Sequence, residues 1–221
     1  MYKLRNMLPE DFDGVMRLSH TIYPDAQPWN EKQLTSQLQI FPEGQFVVED
    51  DATGTVVAYA ATLIVYWDDY AVDANWRDFT DNGYFTNHDP ESGRTLYAAD
   101  VMVDPDHQGR GIGKLIYQAR EKLLYDRALL RIRAGARLQG FHRYHDTMTV
   151  EQYVQKIVDG DLSDPTLTFQ LKRGFKVLGV VHGYMRNDPK SLGYAAVIEF
   201  LNEAVATPED RRHLHESPYY K

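Results

Sequence analysis

The sequence predicts a mixed α/β fold in which one sheet carries helices on both faces. Apolar periodicity along the chain indicates helices, a hairpin, a strand, a helix, a strand, helices and two further strands, in that order. These strands are too numerous for a simple doubly wound fold. The length of 221 residues fits one large domain, and a hydrophobic content of 43% is ordinary for a globular protein.

The first half of the chain is predicted to form two helices and a hairpin. The helices cover residues 7–22 and 30–40, the second ending at a Pro-Glu-Gly sequence. Strands over 45–49 and 56–66 flank a turn at 51–54, so they are expected to pair.

The second half is predicted to alternate strands with helices as far as residue 201. Its strands are 95–103, 130–136, 175–181 and 194–200, and its helices start at Ile112, Thr149 and Pro165. The polar residues 202–221 are predicted to form a C-terminal tail outside a domain that spans residues 1–201.

Residues 67–94 interrupt this regular pattern. The segment holds seven acidic and two basic residues, and six aromatic residues are interspersed among them. It is either a solvated insertion whose aromatic rings pack on the domain, or a lid or wall of a substrate site. Acidic groups among aromatic rings suit a cationic or amine ligand.

Composition excludes several classes of function. The chain has no cysteine, which rules out disulfides, thiolate metal sites and a cysteine nucleophile in these residues. A net charge of -8 disfavours a general nucleic-acid binder. No apolar run approaches a membrane span and the first residues resemble no signal peptide, so we expect a cytoplasmic protein.

Residues 101–114 contain the most informative pattern, a strand that runs through a glycine-rich loop into an amphipathic helix. Such a turn exposes unpaired helix N–H groups and binds phosphate. A Walker A loop is excluded, because Gln108 and Leu115 stand where glycine and Ser/Thr are needed. A dinucleotide fingerprint is excluded, because the third glycine position falls on Lys114 or Ile116.

The pattern Gln-x-x-Gly-x-Gly, after a strand that ends Val-x-Val-x-Pro, resembles the signature of the GCN5-related N-acetyltransferases (GNAT superfamily). The resemblance implies a mostly antiparallel sheet of about six to seven strands, with acetyl-CoA as co-substrate and no metal. It implies that the loop binds the pyrophosphate, the strand backbone contacts the pantetheine, and α-helical residues before Gly174-Phe175 complete the site. The implied cofactor-binding residues are Val101, Met102, Val103, Gln108, Gly109, Arg110, Gly111, Ile112, Gly113, Lys114, Phe169 and Gln170.

Three further stretches, 84–90, 135–137 and 169–175, resemble the acetyltransferase-like domain that bacteria fuse to a carbon–nitrogen hydrolase domain. The hydrolase activity itself needs a cysteine nucleophile, which these residues lack.

Basic residues are concentrated after the loop. Between residues 110 and 145 there are nine basic and two acidic residues, which would attract a polyanion such as coenzyme A. Arg120, Lys122 and Arg127 are expected to be solvated surface groups. Arg131 and Arg133 share one strand face, and would hold an acidic substrate if that face lined the cleft.

The implied reaction is direct attack of an amine on the thioester within a ternary complex, which requires a base. The family's usual glutamate position falls on Tyr97 or Ala99, so Asp100 is the carboxylate of this strand. Strict alternation would place Tyr97, Ala99 and Val101 on one face and Asp100 with Met102 on the other. A structural role for Asp100 is the alternative.

The family's usual acid, a tyrosine, is replaced by Gln170. Tyr184 or Tyr144 would substitute for it, and His142 or His145 would serve as a base near neutral pH. The candidate catalytic residues are therefore Asp100, His142 and Tyr184. Packing or surface roles are the alternative for both histidines, and no metal is expected.

These departures from the family's usual catalytic residues leave two functions open. The first is an N-acetyltransferase acting on a small-molecule amine, or on a protein amine that would meet the acidic segment 67–94. The second is an acyl-CoA-binding sensor or partner-interaction module with weak catalysis. A homodimer is left open, and neither a membrane nor a nucleic acid is expected as partner.

Overall fold

The computed structural model describes residues 1–24, 27–71 and 74–219, and within these ranges seven strands form one sheet. The strands are β1 (Tyr2–Asn6), β2 (Gln45–Asp50), β3 (Thr55–Val65), β4 (Thr95–Val103), β5 (Arg131–Arg137), β6 (Lys176–Val181) and β7 (Ala195–Leu201). The α-helices are α1 (Phe12–Ile22), α2 (Glu31–Ile40), α3 (Trp76–Thr80), α4 (Ile112–Asp126), α5 (Val150–Asp159), α6 (Leu167–Leu171) and α7 (Pro208–Glu216).

The local sequence explains where several helices begin and end. Asn30 caps α2 by accepting a hydrogen bond from the backbone N–H of Gln33, and the side chain of Gln33 accepts one from the backbone N–H of Asn30. Thr149 and Gln152 form the same reciprocal pair at the start of α5. Gly160, with φ of 85°, ends α5 in a conformation that other residues rarely adopt.

The sheet order is β1-β2-β3-β4-β5-β7-β6. Neighbouring strands are antiparallel, except that β4 and β5 are parallel. The predicted mixed, mostly antiparallel sheet is confirmed. Helices α1 and α2 cover one face, where Val15, Leu18 and Leu34 are buried, and α4 and α5 cover the other with Ile116 and Ile157.

The parallel pair β4–β5 separates part-way along its length. Thr95–Tyr97 pair with Arg131–Arg133, and no further register is formed between these two strands. Beyond this point β4 stays paired with β3 as far as Val103, while β5 stays paired with β7 as far as Arg137. The middle of the sheet therefore opens into a V-shaped gap.

β4 carries an extra residue at Ala99, where its register against β3 shifts. Such a bulge breaks the alternation of side chains. Val101 lies against the same hydrophobic cluster as Ala98. Tyr97 and Met102 belong to the cluster on the opposite face. The predicted alternation, which placed Val101 on the face of Tyr97, is wrong beyond the bulge.

Three elements were not predicted, β1, α3 and α7, and α3 lies within segment 67–94, which was expected to interrupt the regular pattern. β1 is an edge strand paired with β2, and its side chains remain partly exposed, so it lacks a clear apolar pattern. α7 is mostly polar, but Leu214 packs with Leu130 and Leu201. The division between a domain of residues 1–201 and a tail stays a prediction, and residues 220–221 lie outside the described residues.

A buried charge network joins α7 to the sheet. Glu199 has no exposed side-chain surface and contacts the Nε of Arg133 at 2.7 Å and Nε2 of His213 at 2.8 Å. Burial alone would raise the pKa of Glu199, but the hydrogen bond from His213 and the charge of Arg133 lower it below its ordinary value.

We expect Glu199→Gln to lower the free energy of unfolding by about 3–5 kcal/mol, because it leaves Arg133 buried without a counter-charge. A depressed carboxyl pKa stabilises the fold above the unfolded-state pKa, and this contribution is lost as the pH falls through the folded-state pKa. The stability of the variant, measured by urea titration at several pH values, should therefore depend less on acid pH than that of the wild-type protein. Glu209→Gln, which breaks an exposed pair with Arg212, is the control and should change little. Equal effects of the two substitutions would contradict the assignment of Glu199 as the buried counter-charge of Arg133.

Candidate active site

The gap between β4 and β5 opens into a cleft of about 1080 Å³. Its described walls come from both strands, the α1–α2 connection, α3, α4, α6 and the loop between β6 and β7. Sites for drug-sized ligands usually measure about 300–1000 Å³, so this cleft lies at the upper end of that range and has room for an extended molecule.

One end of the cleft is the turn between β4 and α4. Gly109 and Gly111 have φ angles of 74° and 86°, and a Cβ added to either would meet no atom within 4 Å. The N-cap residue of α4 is Gly111, which provides no side-chain cap. Unpaired N–H groups at a helix start can bind an anion, and the phosphate-binding role of this turn stays a prediction.

The structure brings most of the predicted cofactor-binding residues together along this cleft. The residues that line it are Val101, Val103, Gln108, Gly109, Gly111, Ile112, Gly113, Lys114, Phe169 and Gln170. Met102 and Arg110 are not among its described lining residues. Met102 is fully buried on the α1 face, and Arg110 is exposed, with its Nη1 3.3 Å from the hydroxyl of Tyr2.

Helices α4 and α6 form one wall through a close contact. A Cβ on Gly113 would lie 3.0 Å from the ring of Phe169, so the absence of a side chain lets α6 approach. Gln170 donates from Nε2 to the hydroxyl of Tyr117 at 2.8 Å. An amide has no proton to give as an acid at neutral pH, so Gln170 cannot act as the general acid, and its role in binding stays a prediction.

Arg120 departs from the expectation that it is a solvated surface residue. Its side chain is fully buried between α4 and the sheet and lines the cleft. Nε donates to Oγ1 of Thr62 at 3.1 Å, and Nη2 donates to the carbonyl oxygens of Ala61 at 2.9 Å and Asp100 at 2.6 Å. Arg120 thus connects β3 and β4 at the bulge.

The carboxylate of Asp100 lines the cleft on its α1 side. It accepts hydrogen bonds from the hydroxyl of Tyr23 at 2.6 Å and from Nε1 of Trp29 at 2.8 Å. Burial raises the pKa of Asp100 above its ordinary value of 3.8, and the two hydrogen bonds oppose that shift. A carboxyl group so placed is a candidate proton acceptor.

Tyr184 closes the cleft where β4 and β5 begin to separate. Its hydroxyl contacts the hydroxyl of Tyr97 and accepts a hydrogen bond from the backbone N–H of Gly135 at 3.2 Å. Burial raises the pKa of Tyr184 to about 12, so the hydroxyl stays protonated at neutral pH.

We expect Gly135→Ala to lower the free energy of unfolding by about 1–3 kcal/mol, because the new Cβ would lie 2.1 Å from Cζ of Tyr184. Gly179→Ala is the matched control, since a Cβ there meets nothing within 4 Å. Urea denaturation of the two variants measures the difference. Indistinguishable midpoints would mean that Tyr184 does not sit against Gly135.

His142 does not lie with Asp100 and Tyr184. It is exposed, and its Nδ1 is 3.0 Å from the carbonyl oxygens of Gln139 and Lys190. Nδ1 of His145 is 2.9 Å from the carbonyl oxygen of His142. None of the described residues that line the cleft is a histidine from this turn, and Tyr144 is absent from them too.

Segment 67–94 packs on the domain and also borders the cleft. The ring of Phe79 stacks on Tyr97 at 4.6 Å between centroids. Nε1 of Trp76 donates to the carbonyl oxygen of Ala99 at 2.8 Å, and Trp76 lines the cleft. The predicted role as a lid stays a prediction, and Asp73 lies outside the described residues.

Most charges in the basic region after the loop are already paired. Arg131 and Arg133 contact Glu199 and are not among the described residues that line the cleft, so they do not form the acidic-substrate site considered above. Arg137 lines the cleft, but its Nε and Nη2 lie 2.7 and 2.8 Å from the carboxylate of Asp188. The surplus of basic residues therefore overstates the positive charge offered to a ligand.

Sequence reasoning missed Tyr23, Trp29 and Arg120 as parts of the site. No spacing connects Tyr23 and Trp29 to Asp100, because they contact it across more than seventy residues of chain. A signal existed for Arg120, which stands on the apolar side of α4, three residues after Tyr117 and three before Leu123.

Residues 1–24, 27–71 and 74–219 contain no helix that is long and apolar enough to cross a bilayer. In the same part of the chain, no three His, Cys, Asp or Glu side chains are grouped to share a metal ion.

The model of the acetyltransferase (GNAT) family matches residues 4–146. The chain belongs to the GNAT family. Two similar proteins come from Bacillus subtilis (strain 168). The probable hydrolase YhcX is 34% identical over 218 residues, which are 99% of this chain and 41% of YhcX. The uncharacterized N-acetyltransferase YkwB is 32% identical over 203 residues, which are 90% of this chain and 88% of YkwB.

This GNAT chain therefore spans less than half the length of YhcX, which agrees with the predicted resemblance to domains fused to a hydrolase. Solved structures confirm the fold. The loading GNATL domain of CurA from Lyngbya majuscula has a TM-score of 0.78 at 18% identity, covering 91% of this chain and 98% of that one. The GphF GNAT-like decarboxylase in complex with isobutyryl-CoA has a TM-score of 0.72 at 20% identity, covering 90% and 98%. Chaetomium thermophilum Naa20 in complex with a bisubstrate analogue has a TM-score of 0.56 at 17% identity, covering 96% and 90%.

Proposed function

We propose that this GNAT domain binds an acyl-CoA, with acetyl-CoA as the first candidate, and transfers the acyl group to an amine by direct attack in a ternary complex. One observation carries the proposal. A single cleft runs from the uncapped start of α4, beside Gly109 and Gly111, to the gap beside Asp100. It would hold phosphates at one end and a thioester at the other.

Asp100 is the proposed base. An amine of ordinary pKa is mostly protonated at neutral pH, so it must lose a proton before it attacks the thioester carbonyl. The raised pKa of Asp100 favours that transfer, and the hydrogen bonds from Tyr23 and Trp29 fix the direction of the carboxylate. The new C–N bond forms as the C–S bond breaks, and coenzyme A leaves as its thiolate. The protonated hydroxyl of Tyr184 is the proposed donor to this sulfur, and the second proton that the amine nitrogen loses returns through solvent to that hydroxyl.

A second candidate reaction is decarboxylation of a carboxyacyl-CoA. One observation favours it: the TM-score of 0.72 to GphF, a GNAT-like decarboxylase, exceeds the 0.56 to Naa20. Loss of CO₂ leaves an enolate of the thioester and needs no base to prepare a nucleophile. A cleft without the family's usual glutamate is compatible with that chemistry.

Two measurements on the purified protein test these proposals. Calorimetry with CoA and acetyl-CoA should show binding in a 1:1 ratio, and an absence of binding would overturn both reactions. Mass spectrometry then follows labelled acetyl-CoA with a library of amines and short basic peptides, and malonyl-CoA alone. Acetylated amine supports the transferase, and acetyl-CoA formed from malonyl-CoA supports the decarboxylase. Binding without either product supports an acyl-CoA-binding module instead.

A further inference from the structure

The described lining of the cleft is strongly positive, although the chain as a whole is acidic. Seven of the lining residues are Lys or Arg and two are Asp, whereas the whole chain has 32 acidic residues and 24 Lys or Arg residues. A cleft lined by one sign of charge concentrates ligands of the opposite sign. The charge of the lining therefore favours an anionic ligand.

Five of these seven cations remain for a ligand. Arg137 is paired with Asp188, and Arg120 is fully buried in hydrogen bonds to β3 and β4. The other five have no ion-pair partner in the described part of the chain, and they are Arg77, Lys114, Arg173, Arg186 and Lys190.

Two of the five belong to the phosphate end of the cleft. Lys114 lies in the first turn of α4. Arg173 follows α6, and its Cζ lies 5.5 Å from the centroid of the Phe169 ring, which packs against Gly113. The phosphates of coenzyme A would bind these two charges. The remaining three are exposed side chains on α3 and on the loop between β6 and β7, namely Arg77, Arg186 and Lys190.

The loop between β6 and β7 is fixed beside the proposed base. Asp188 of this loop accepts hydrogen bonds from Nε and Nη2 of Arg137 at 2.7 and 2.8 Å. Cζ of Arg137 lies 5.0 Å from the centroid of the Tyr23 ring, and the hydroxyl of Tyr23 donates to the carboxylate of Asp100. Both unpaired cations of the loop stand two residues from Asp188, one before it and one after it. The loop therefore carries two free positive charges to the acceptor end of the cleft.

Arg77 belongs to the same end of the cleft. The residue before it, Trp76, donates from its backbone N–H to the carbonyl oxygen of Tyr184 at 3.1 Å, and from Nε1 to the carbonyl oxygen of Ala99 at 2.8 Å. The described acidic residues of segment 67–94 do not line the cleft. This segment therefore presents Arg77 to a ligand and not its acidic groups, and a basic peptide would meet a cation there.

We propose that the acceptor is a small amine that carries an acidic group, a carboxylate or a phosphate, and that Arg77, Arg186 and Lys190 bind this group while the amine faces Asp100. This inference rests on the proposed function, since it names the substrate class of the acyltransferase. One carboxyl group beside three cations matches a molecule that has both an ammonium and an anionic group. The acidic group forms and breaks no bond, and it orients the amine for attack on the thioester.

Mass spectrometry with labelled acetyl-CoA should compare amines that differ in the acidic group. The pairs are glycine with glycinamide, β-alanine with β-alaninamide, and O-phosphoethanolamine with ethanolamine. Hydrogen bonds to charged groups lead us to expect that kcat/KM is about tenfold higher or more for the acid in the preferred pair. The pair with the largest ratio distinguishes a carboxylate from a phosphate. A ratio of one or below in every pair would overturn the proposal.

Arg186→Gln combined with Lys190→Gln should remove this preference. KM for the acidic amine should rise about tenfold or more and kcat should change little, because these cations would bind the substrate and the transition state alike. Lys3→Gln combined with Lys122→Gln is the matched control, since it removes the same charge from exposed positions outside the described lining of the cleft. An unchanged preference in the first double variant, or an equal loss in the second, would overturn the proposal.

The same measurements separate this inference from the proposed function. Acetylation of neutral or basic amines with no preference for acids would support the transferase and overturn this inference. An absence of acetylation of every amine would overturn the transferase, and this inference with it. Calorimetry with CoA should give the same affinity for the wild-type protein and for Arg186→Gln combined with Lys190→Gln. A large loss there would assign both cations to the cofactor phosphates and overturn the inference.

Discussion

Gly111→Glu is expected to lower the affinity for coenzyme A by about a hundredfold or more. Gly111 precedes the first turn of α4, and the space beside it is open. A carboxylate there would stand within a few ångströms of the proposed pyrophosphate position. Two like charges 4 Å apart near a protein surface repel by about 4 kcal/mol, which accounts for a loss of this size. Calorimetry with CoA measures it directly.

Gly111→Gln separates charge from backbone strain. Both side chains would have to adopt the φ of 86° that Gly111 has in the structure, so both variants carry the same conformational cost. The amide adds no negative charge. We expect Gly111→Gln to lose much less affinity for coenzyme A than Gly111→Glu. A higher salt concentration should restore none of the affinity that Gly111→Gln loses. Equal losses would mean that the turn does not bind an anion, and an unchanged affinity in Gly111→Glu would reject the phosphate site.

Asp100→Asn is expected to lower kcat by about 10²- to 10⁴-fold, with little change in CoA affinity, because an amide cannot accept the proton of the amine. The wild-type rate should rise with pH as Asp100 loses its proton, and it should do so above the ordinary carboxyl value of 3.8, since burial raises this pKa. This rise in rate on the acidic side of the pH profile, the acidic limb, should be absent in Asp100→Asn. Rates measured across pH on the acceptor found by mass spectrometry test this.

Tyr23→Phe is the companion to this variant. It removes the 2.6 Å hydrogen bond to the carboxylate and leaves the carboxyl group in place. Because that hydrogen bond opposes the effect of burial, the acidic limb should move to higher pH and not disappear. If the acidic limb is still present in Asp100→Asn, or does not move in Tyr23→Phe, the group that titrates is not Asp100.

Structural features that depend on residues close together in the sequence were predictable. The glycines at 109 and 111, the apolar spacing of α4 and the strand before them fall within a short stretch of chain, and together they predicted the cofactor end of the cleft. The hairpin and the mixed sheet followed from the same kind of local pattern. β1, α3 and α7 were missed because these short elements are stabilised by contacts with the rest of the sheet, and not by a clear apolar periodicity of their own.

The acceptor end of the site was harder to predict. A single extra residue at Ala99 changes which side chains of β4 share a face, and no residue type in that strand marks a bulge. Arg120 was assigned to the surface by its charge, although its position in α4 repeats the buried spacing of Tyr117. His142 was selected for its chemistry, but the turn that carries it faces solvent.

The short parallel ladder between β4 and β5 has a mechanical consequence. Three residue pairs join a four-stranded half-sheet to a three-stranded one, and beyond these pairs β4 and β5 form no ladder with each other. An extended molecule with amide groups, lying in that gap, would form hydrogen bonds to both strands and so connect the two halves of the sheet. Binding of a ligand in the gap should then stabilise both halves of the sheet. Backbone amides on β4 and β5 should exchange with solvent more slowly when the ligand is bound.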